Sequence, residues 1–420
     1  MKNLFCLLCI ICYLMACSKT KQGSEYPVID VVGSVGNYQK VYCSELFLSI
    51  ELIPLETTDE CLLAVPNRPG IIMNEDFIVI AYTFFHNFQL YSFDRTGKFL
   101  NKIGQKGQGP GDYIGISKFF FKNNTTVFVS EIGEKILEYE LHGKFIRSIR
   151  KPNIEGQKLH FISYVSDNMF IGSLPNYGKN KHNHFLFDDK GNIVKSFPNH
   201  FFFNREGKWM SSFDGGLEPF GIDERLYLKN YVNDTLYCLE NSVMQPAFVF
   251  GLGKYTFDKE SIVSEHGNAT VERSLIISYL MGTPKYLFYE VLIPEILPRP
   301  KVNPVFSQRL NKLVTWNSSA YGIYNMEENV NMLLEGNENI SAEKGIINDI
   351  NGGLPFFPRY YAGNNVVVDM WDAEIMKTRL TDEYFATRTI KDPQSHQKLK
   401  ALLEILKEDD NPIIVVAKLK

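Results

Sequence analysis

The stretch Leu-Tyr-Ser-Phe-Asp-Arg-Thr-Gly-Lys-Phe-Leu, residues 90–100, decides the reading of the fold. An aromatic, strand-like run enters a tight polar turn, and a second such run leaves it. The form returns as Leu-Glu-Tyr-Glu-Leu-His-Gly-Lys-Phe-Ile at 137–146 and as Phe-Leu-Phe-Asp-Asp-Lys-Gly-Asn-Ile-Val at 185–194. The turn glycines Gly97, Gly143 and Gly191 stand 46 and 48 residues apart. A β-hairpin repeated at that period predicts radially arranged four-stranded blades, an all-β propeller. Such a scaffold hosts many unrelated functions, so activity has to be argued from a site.

Working outward, the N-terminal residues have the form of an export signal. Lys2 precedes an apolar run from Leu4 to Ala16, too short to span a bilayer as a helix, which needs about 20 apolar residues. The run ends Leu14-Met15-Ala16-Cys17, which resembles a bacterial lipobox. The expected products are a signal peptide over residues 1–16, acylated Cys17, a tether over 17–25 and a propeller over 26–420. Several acyl chains on Cys17 would hold the protein durably on a membrane. Three cysteines then remain, Cys43, Cys61 and Cys238. Cys43–Cys61 is one pairing; buried free thiols are the reading preferred here. The chain is 420 residues long, with 31 Phe and 22 Tyr, which suits sheets packed face to face. Net charge is −4 without a basic stripe, which argues against nucleic acid as a partner.

Between the hairpins the pattern is of short strands. Asp76–Tyr82 reads as a strand lining the propeller axis. Leu226–Lys229, 233–239 and Ala247–Phe250 form a fourth blade, whose turn glycine is replaced by Glu240-Asn241-Ser242. Leu313–Trp316, Tyr321–Asn325 and Asn331–Leu334 are assigned to a fifth, and Asn365–Trp371 with Ile413–Leu419 to a sixth. Pairing of an N-terminal strand with a C-terminal one would close the ring and remove its edges. Lys259–Leu280 reads as a helical insertion. In Pro393–Glu408, Leu399, Leu402, Leu403 and Leu406 recur at helical spacing, predicting an amphipathic helix docked on its own domain.

Taken in order, Ile-Pro-Leu-Glu-Thr at 53–57, the hairpin at 92–100, Ile-Gly-Gln-Lys-Gly-Gln-Gly-Pro-Gly-Asp-Tyr at 103–113, Asn-Asp-Thr-Leu-Tyr at 233–237, Asn-Asp-Ile-Asn-Gly-Gly at 348–353 and the terminal 411–420 are similar to a known pattern. The chain resembles the six-bladed β-propeller lipoproteins of Bacteroidetes, which look related to NHL-type propellers. The resemblance implies six blades. It carries no common activity and hence no catalytic residues. Without an acidic cluster after Cys17, an outer-membrane lipoprotein facing the periplasm is expected rather than one on the cell surface.

Motifs for chemistry are few. The glycine-rich 104–113 lacks the Gly-Lys-Ser/Thr order of a phosphate loop, and Pro110 interrupts it, so it reads as a crossover between blades. His182 and His184 put two imidazoles on one face of a strand, half of a metal site at most. Asp349-Ile350-Asn351-Gly352 lacks the acid that would complete a calcium loop, since Tyr360 stands there; Asx turns explain it better. No cofactor is called for.

Strand polarity then places the blade-to-blade connections on the face opposite the Gly97, Gly143 and Gly191 hairpins. The long stretches 198–220, 251–304 and 336–362 gather there, and binding residues usually sit on such loops. The ligand-binding candidates are Trp209, Phe356, Phe357, Arg359 and Tyr360. The expected function is a membrane-anchored, monomeric binding module for a glycan, peptide or protein. The alternative is a lyase or hydrolase with its site at the mouth of the central channel. For the anchor, Cys17→Ala is expected to abolish metabolic labelling with a fatty acid and leave the chain released or unprocessed; equal labelling of both forms would remove the anchor from the reading.

Overall fold

A computed structural model describes residues 25–63, 70–84, 87–176, 178–203, 209–210, 216–230, 233–257, 263–264, 273–300, 305–307, 312–314, 319–335 and 345–420. The signal-like run and Cys17 lie outside them. Six antiparallel sheets follow one another around an axis as the blades of a propeller. Blade 1 is Gly70–Met73, Phe77–Phe84, Asn87–Asp94 and Phe99–Ile103. Blade 2 is Ile116–Phe121, Thr126–Glu131, Lys135–Glu140 and Phe145–Arg150. Blade 3 is His160–Ser166, Met169–Ser173, His182–Phe187 and Ile193–Pro198. Blade 4 is Phe220–Ile222, Arg225–Leu228, Thr235–Glu240 and Val243–Phe250. Blade 5 is Ile276–Gly282, Tyr286–Leu292, Ser319–Asn325 and Val330–Leu334. Blade 6 takes Tyr360–Gly363, Val366–Trp371 and Ile413–Leu419 from the C-terminal part and its outer strand, Phe47–Pro54, from the N-terminal part.

Three assignments from sequence are corrected. Ile276–Gly282 is the inner strand of blade 5, where a helical insertion over 259–280 was expected. In its Ile-Ile-Ser-Tyr-Leu run Ile276, Ile277 and Leu280 are buried and Ser278 and Tyr279 half-buried, and such a short, mostly apolar run has no period that separates helix from strand. Lys312–Val314 belongs to a small hairpin with Val305–Ser307, so Leu313 is no part of blade 5 proper. The inner strand of blade 1 is the four-residue Gly70–Met73, and the segment expected there, Asp76–Tyr82, falls in the second strand.

The core is divided among the seams, with a separate apolar cluster between each neighbouring pair of blades. The largest lies between blades 5 and 6, where Phe288, Phe357 and Trp371 meet. It extends to the helix Pro393–Ile405, which buries Leu399 and docks as its leucine spacing predicts. Asp392 caps that helix by accepting from the Gln394 and Ser395 amides, and Pro393 opens its first turn.

The repeated glycines explain the seams on the rim. Gly97, Gly143 and Gly191 have φ of +87°, +89° and +82°, a region that L side chains rarely adopt. Each also abuts the outer strand of the preceding blade. A Cβ on Gly97 would collide with the Pro54 carbonyl oxygen; on Gly143 it would lie 2.8 Å from the Lys102 oxygen, and on Gly191 2.7 Å from that of Arg150. In the first turn the contact is completed by the Glu56 amide donating to the Gly97 carbonyl at 2.8 Å. Blade 4 makes the equivalent turn with Asn241 and Ser242, both at positive φ.

Before closing the ring, the N-terminal segment runs around the rim as a strap. Val28–Ile29 pairs in parallel with the end of the blade 4 outer strand, and Tyr38–Gln39 with that of blade 5. The strap is then pinned by Asp349, which accepts from the Ser44 amide at 2.8 Å and the Ser44 hydroxyl at 2.6 Å and pairs with Lys391 at 2.9 Å. Burial works to raise the Asp349 pKa, but these hydrogen bonds and the Lys391 charge outweigh it and hold the carboxyl below its ordinary value. Cys43, Cys61 and Cys238 are free and buried, so the Cys43–Cys61 pairing is not made.

Two outcomes are expected. Gly97→Ala should lose more stability in urea unfolding than Gly156→Ala. Gly156 has φ +85° and open space around it, so it bears only the left-handed cost of about 1–2 kcal/mol, whereas Gly97 adds the collision with Pro54. Equal losses would remove the close approach as a constraint. Asp349→Asn should destabilise by about 1.5–3 kcal/mol at pH 7, as expected for losing hydrogen bonds to a charged group. Because the folded pKa is depressed, the contribution is complete above the unfolded aspartate value, about 3.9, and fades as pH falls through the lower folded value. The gap between wild type and variant should therefore narrow below about pH 4; a gap independent of pH would assign the loss to packing.

Candidate functional site

Because each blade is antiparallel, its first-to-second and third-to-fourth turns open on one face, and its remaining connections open on the other. On the first, the turn face, the links are short, such as 74–76, 95–98 and 141–144. On the second, the loop face, the chain leaves and rejoins the blades between 54 and 70, 103 and 116, 150 and 160, 198 and 220, 250 and 276, 292 and 319, 334 and 360, and, through the helical 372–412, 371 and 413.

The candidates divide by position. Phe356 is 0% exposed and sits edge-on to Phe47 at 5.2 Å; Phe357 is 2% exposed and stacks on Tyr321 at 4.0 Å. Both fill the seam between blades 5 and 6 and offer no free ring to a ligand. Tyr360 is half-buried, packs in the seams flanking blade 1, and sends its hydroxyl to the Met73 backbone. Trp209 pairs through its backbone with Ser264, joining the connection from blade 3 to blade 4 with that from blade 4 to blade 5.

Arg359 is the candidate that the fold turns into a charged feature of the loop face. It directly precedes the inner strand of blade 6, and its amide donates to the Val368 carbonyl at 2.8 Å. Its guanidinium lies on three rings, 4.9 Å from the centre of Tyr279, 5.3 Å from Tyr321 and 5.7 Å from Phe357. Nη2 donates to the Tyr321 hydroxyl at 2.7 Å. Asp369 accepts from the Phe357 amide at 3.3 Å, and Glu290 accepts from the Ser319 hydroxyl at 2.6 Å. Burial works against the Arg359 charge, but Tyr321, Asp369, Tyr279 and Glu290 together raise its pKa above the ordinary value. Tyr279 is half-buried beneath it and donates to the Pro358 carbonyl at 3.0 Å.

A second charged element crosses the same end of the axis. Lys118, on the inner strand of blade 2, reaches past blade 3 to Glu218 at 3.2 Å and to the Pro219 carbonyl at 3.3 Å, just before the inner strand of blade 4. Nothing in the sequence signals this pair, whose members lie 100 residues apart.

The other motifs are structural. In 104–113, the Gly107 amide donates to the Tyr113 carbonyl, the Tyr113 amide to the Gln105 carbonyl, and Asp112 caps Gly109. These bonds close the crossover between blades 1 and 2. Asn348 and Asn351 form Asx turns that accept from the Asn351 and Gly353 amides. His184 is buried with Nδ1 2.7 Å from the Ser173 hydroxyl, and burial lowers its pKa to about 4, so it is neutral at pH 7. His182 sits edge-on to Phe185. Among the described residues no three His, Cys, Asp or Glu side chains gather as a metal would require.

Fold and loop-face geometry define a six-bladed β-propeller with a charged site where its inner strands converge. The chain belongs to the family described as domain of unknown function DUF4934, whose model matches residues 26–418. A structure from Bacteroides fragilis NCTC 9343, of a protein inferred to be exported, is similar with a TM-score of 0.66 and 20% identity, over 94% of this chain and 99% of that one. A member of the DUF4221 family from Bacteroides vulgatus matches with a TM-score of 0.50 and 10% identity, over 89% of this chain and 97% of that one. At these identities the likeness carries the fold alone. Comparison with curated proteins gives no match. Among the described residues no helix is long and apolar enough to cross a membrane.

Proposed function

We propose that this propeller is an exported, lipid-anchored binding module that takes a glycan, peptide or protein on its loop face. The observation that carries the reading is that every long connection leaves and rejoins the blades on one face, where Arg359 and the Lys118–Glu218 pair also lie. Rigid blades hold those groups, while the opposite face carries little beyond hairpin turns. Export is supported by the signal-like run, the Cys17 lipobox and the inferred export of the similar Bacteroides fragilis protein. With acyl chains on Cys17, the tether would keep the module at the outer membrane.

The test is a panel of glycans, peptides and envelope proteins presented to purified wild type, to Lys118→Ala/Glu218→Ala on the loop face, and to Lys98→Ala/Lys144→Ala on the turn face. The loop-face variant should lose bound ligand several-fold at an unchanged melting temperature. Full binding by that variant, with loss in the turn-face variant, would place the site on the wrong side of the molecule.

A further inference from the structure

Two Ile-Gly dipeptides meet on the loop face of blade 2. Ile114-Gly115 leads into its inner strand, and Ile132-Gly133 opens the turn between its second and third strands. The Ile132 amide donates to the Gly115 carbonyl at 3.0 Å. A Cβ on Gly115 would lie 2.9 Å from Ile132 and 3.3 Å from half-buried Phe88, and one on Gly133 3.0 Å from Ile114. Neither glycine has a positive φ, so what they supply is room, and each isoleucine lies across the other's glycine. Ile114 nonetheless stays 45% exposed and Ile132 55%. The pair is fixed from behind by charged groups. Buried Glu131 accepts from the Ile114 amide at 3.3 Å and the Lys135 amide at 3.1 Å. Buried Lys151 donates through its ammonium to the Glu131 and Gly133 carbonyls and through its amide to the Glu134 carbonyl. Exposed aliphatic side chains held this firmly form a contact surface that needs little further ordering when it is covered.

The same turn borders a cationic pocket, lined by Gly133 and Glu134 together with Arg150, Lys151, Asn153 and Lys158. The Arg150 side chain is 81% exposed and that of Lys158 53%. Glu134 lies 3.6 Å from Arg150 and 3.7 Å from Lys158, both too long for a hydrogen bond. Among the described residues no other carboxylate comes within 4.0 Å of either cation. Two solvated cations thus share one loosely held carboxylate, while the charge of Lys151 is set against buried Glu131. Apolar contact and excess positive charge stand side by side. An anionic glycan would use the cations and leave the isoleucines uncovered. A peptide with carboxylates next to an apolar side chain meets both. Covering the isoleucines also excludes water, which strengthens the attraction of Arg150 and Lys158 for those carboxylates.

We propose that the loop face of blade 2 docks an acidic peptide segment of a partner protein, with an apolar residue on Ile114 and Ile132 and carboxylates displacing Glu134 between Arg150 and Lys158. This rests on the binding-module reading and names its ligand class. The test is selection from a random dodecapeptide library displayed on phage, with immobilised wild type as bait. Wild type should enrich peptides that carry Asp or Glu close to an aliphatic or aromatic residue. The consensus peptide, synthesised, is then titrated onto wild type and variants, with melting temperatures recorded for each. Arg150→Glu/Lys158→Glu should weaken it at least tenfold, and Ile114→Ser/Ile132→Ser several-fold. The charge reversal alters only exposed side chains, and it serves where the serine variant melts too early to assay. Glu134→Gln should tighten the peptide several-fold, because the competing carboxylate is gone; a purely structural role for this turn gives no such gain. Enrichment of basic or uncharged peptides, unchanged affinity in the charge reversal, or no tightening in Glu134→Gln would each overturn the assignment. If no peptide is enriched while the loop-face variant of the previous test still loses its ligand, the acidic-peptide assignment fails and the binding module stands. If neither experiment detects binding at this face, both fall.

Discussion

Everything in this molecule depends on a strand borrowed from the other end of the chain. Phe47–Pro54 pairs with Ile413–Leu419 and completes blade 6, so that the apolar cluster between blades 6 and 1 has both of its walls. A propeller left open at that seam would expose an apolar sheet face on each side and an unpaired strand. The same strand ends at Pro54, whose carbonyl lies against Gly97 at the tip of the next blade. Closing the ring and setting the spacing of the repeat are therefore one contact, and the turn glycines of blades 2 and 3, Gly143 and Gly191, reuse the arrangement one seam further on each time.

The strongest features of the sequence are those in which backbone conformation and close approach coincide. Gly97, Gly143 and Gly191 are conspicuous because no other residue satisfies both demands, and they locate three blades. Blade 5 carries no such mark. Its third-to-fourth turn places Asn329 at positive φ, and its inner pair is separated from its outer pair by 293–318, so the repeat loses its period there. The four-residue inner strand of blade 1 is too short to show a period of its own.

The site was legible only in part, for a related reason. A residue type can be read from sequence, but its burial depends on what the fold brings against it. Phe356, Phe357 and Arg359 stand together in one long connection, yet two turn inward to fill a seam and the third lies over one of them, Phe357. Asp349, Ser44 and Lys391 come from three distant parts of the chain and meet only because the strap passes the connection between blades 5 and 6. The same holds for Lys118 and Glu218, which face each other because blades 2 and 4 share an axis.

The strap has a consequence for solubility. The outer strands that it covers, Val243–Phe250 and Val330–Leu334, contain no lysine or arginine. Of the outer strands that it does not cover, those of blades 1 to 3 each contain at least one, Lys102 in blade 1, Arg147 and Arg150 in blade 2 and Lys195 in blade 3, whereas that of blade 6, Phe47–Pro54, contains none. Cationic side chains on an unpaired edge discourage another chain from adding a strand to it. Three of the six outer edges are thus guarded by cations and two by the chain's own N-terminal segment. The edges of blades 4 and 5 are safe from self-association only while that segment stays in place.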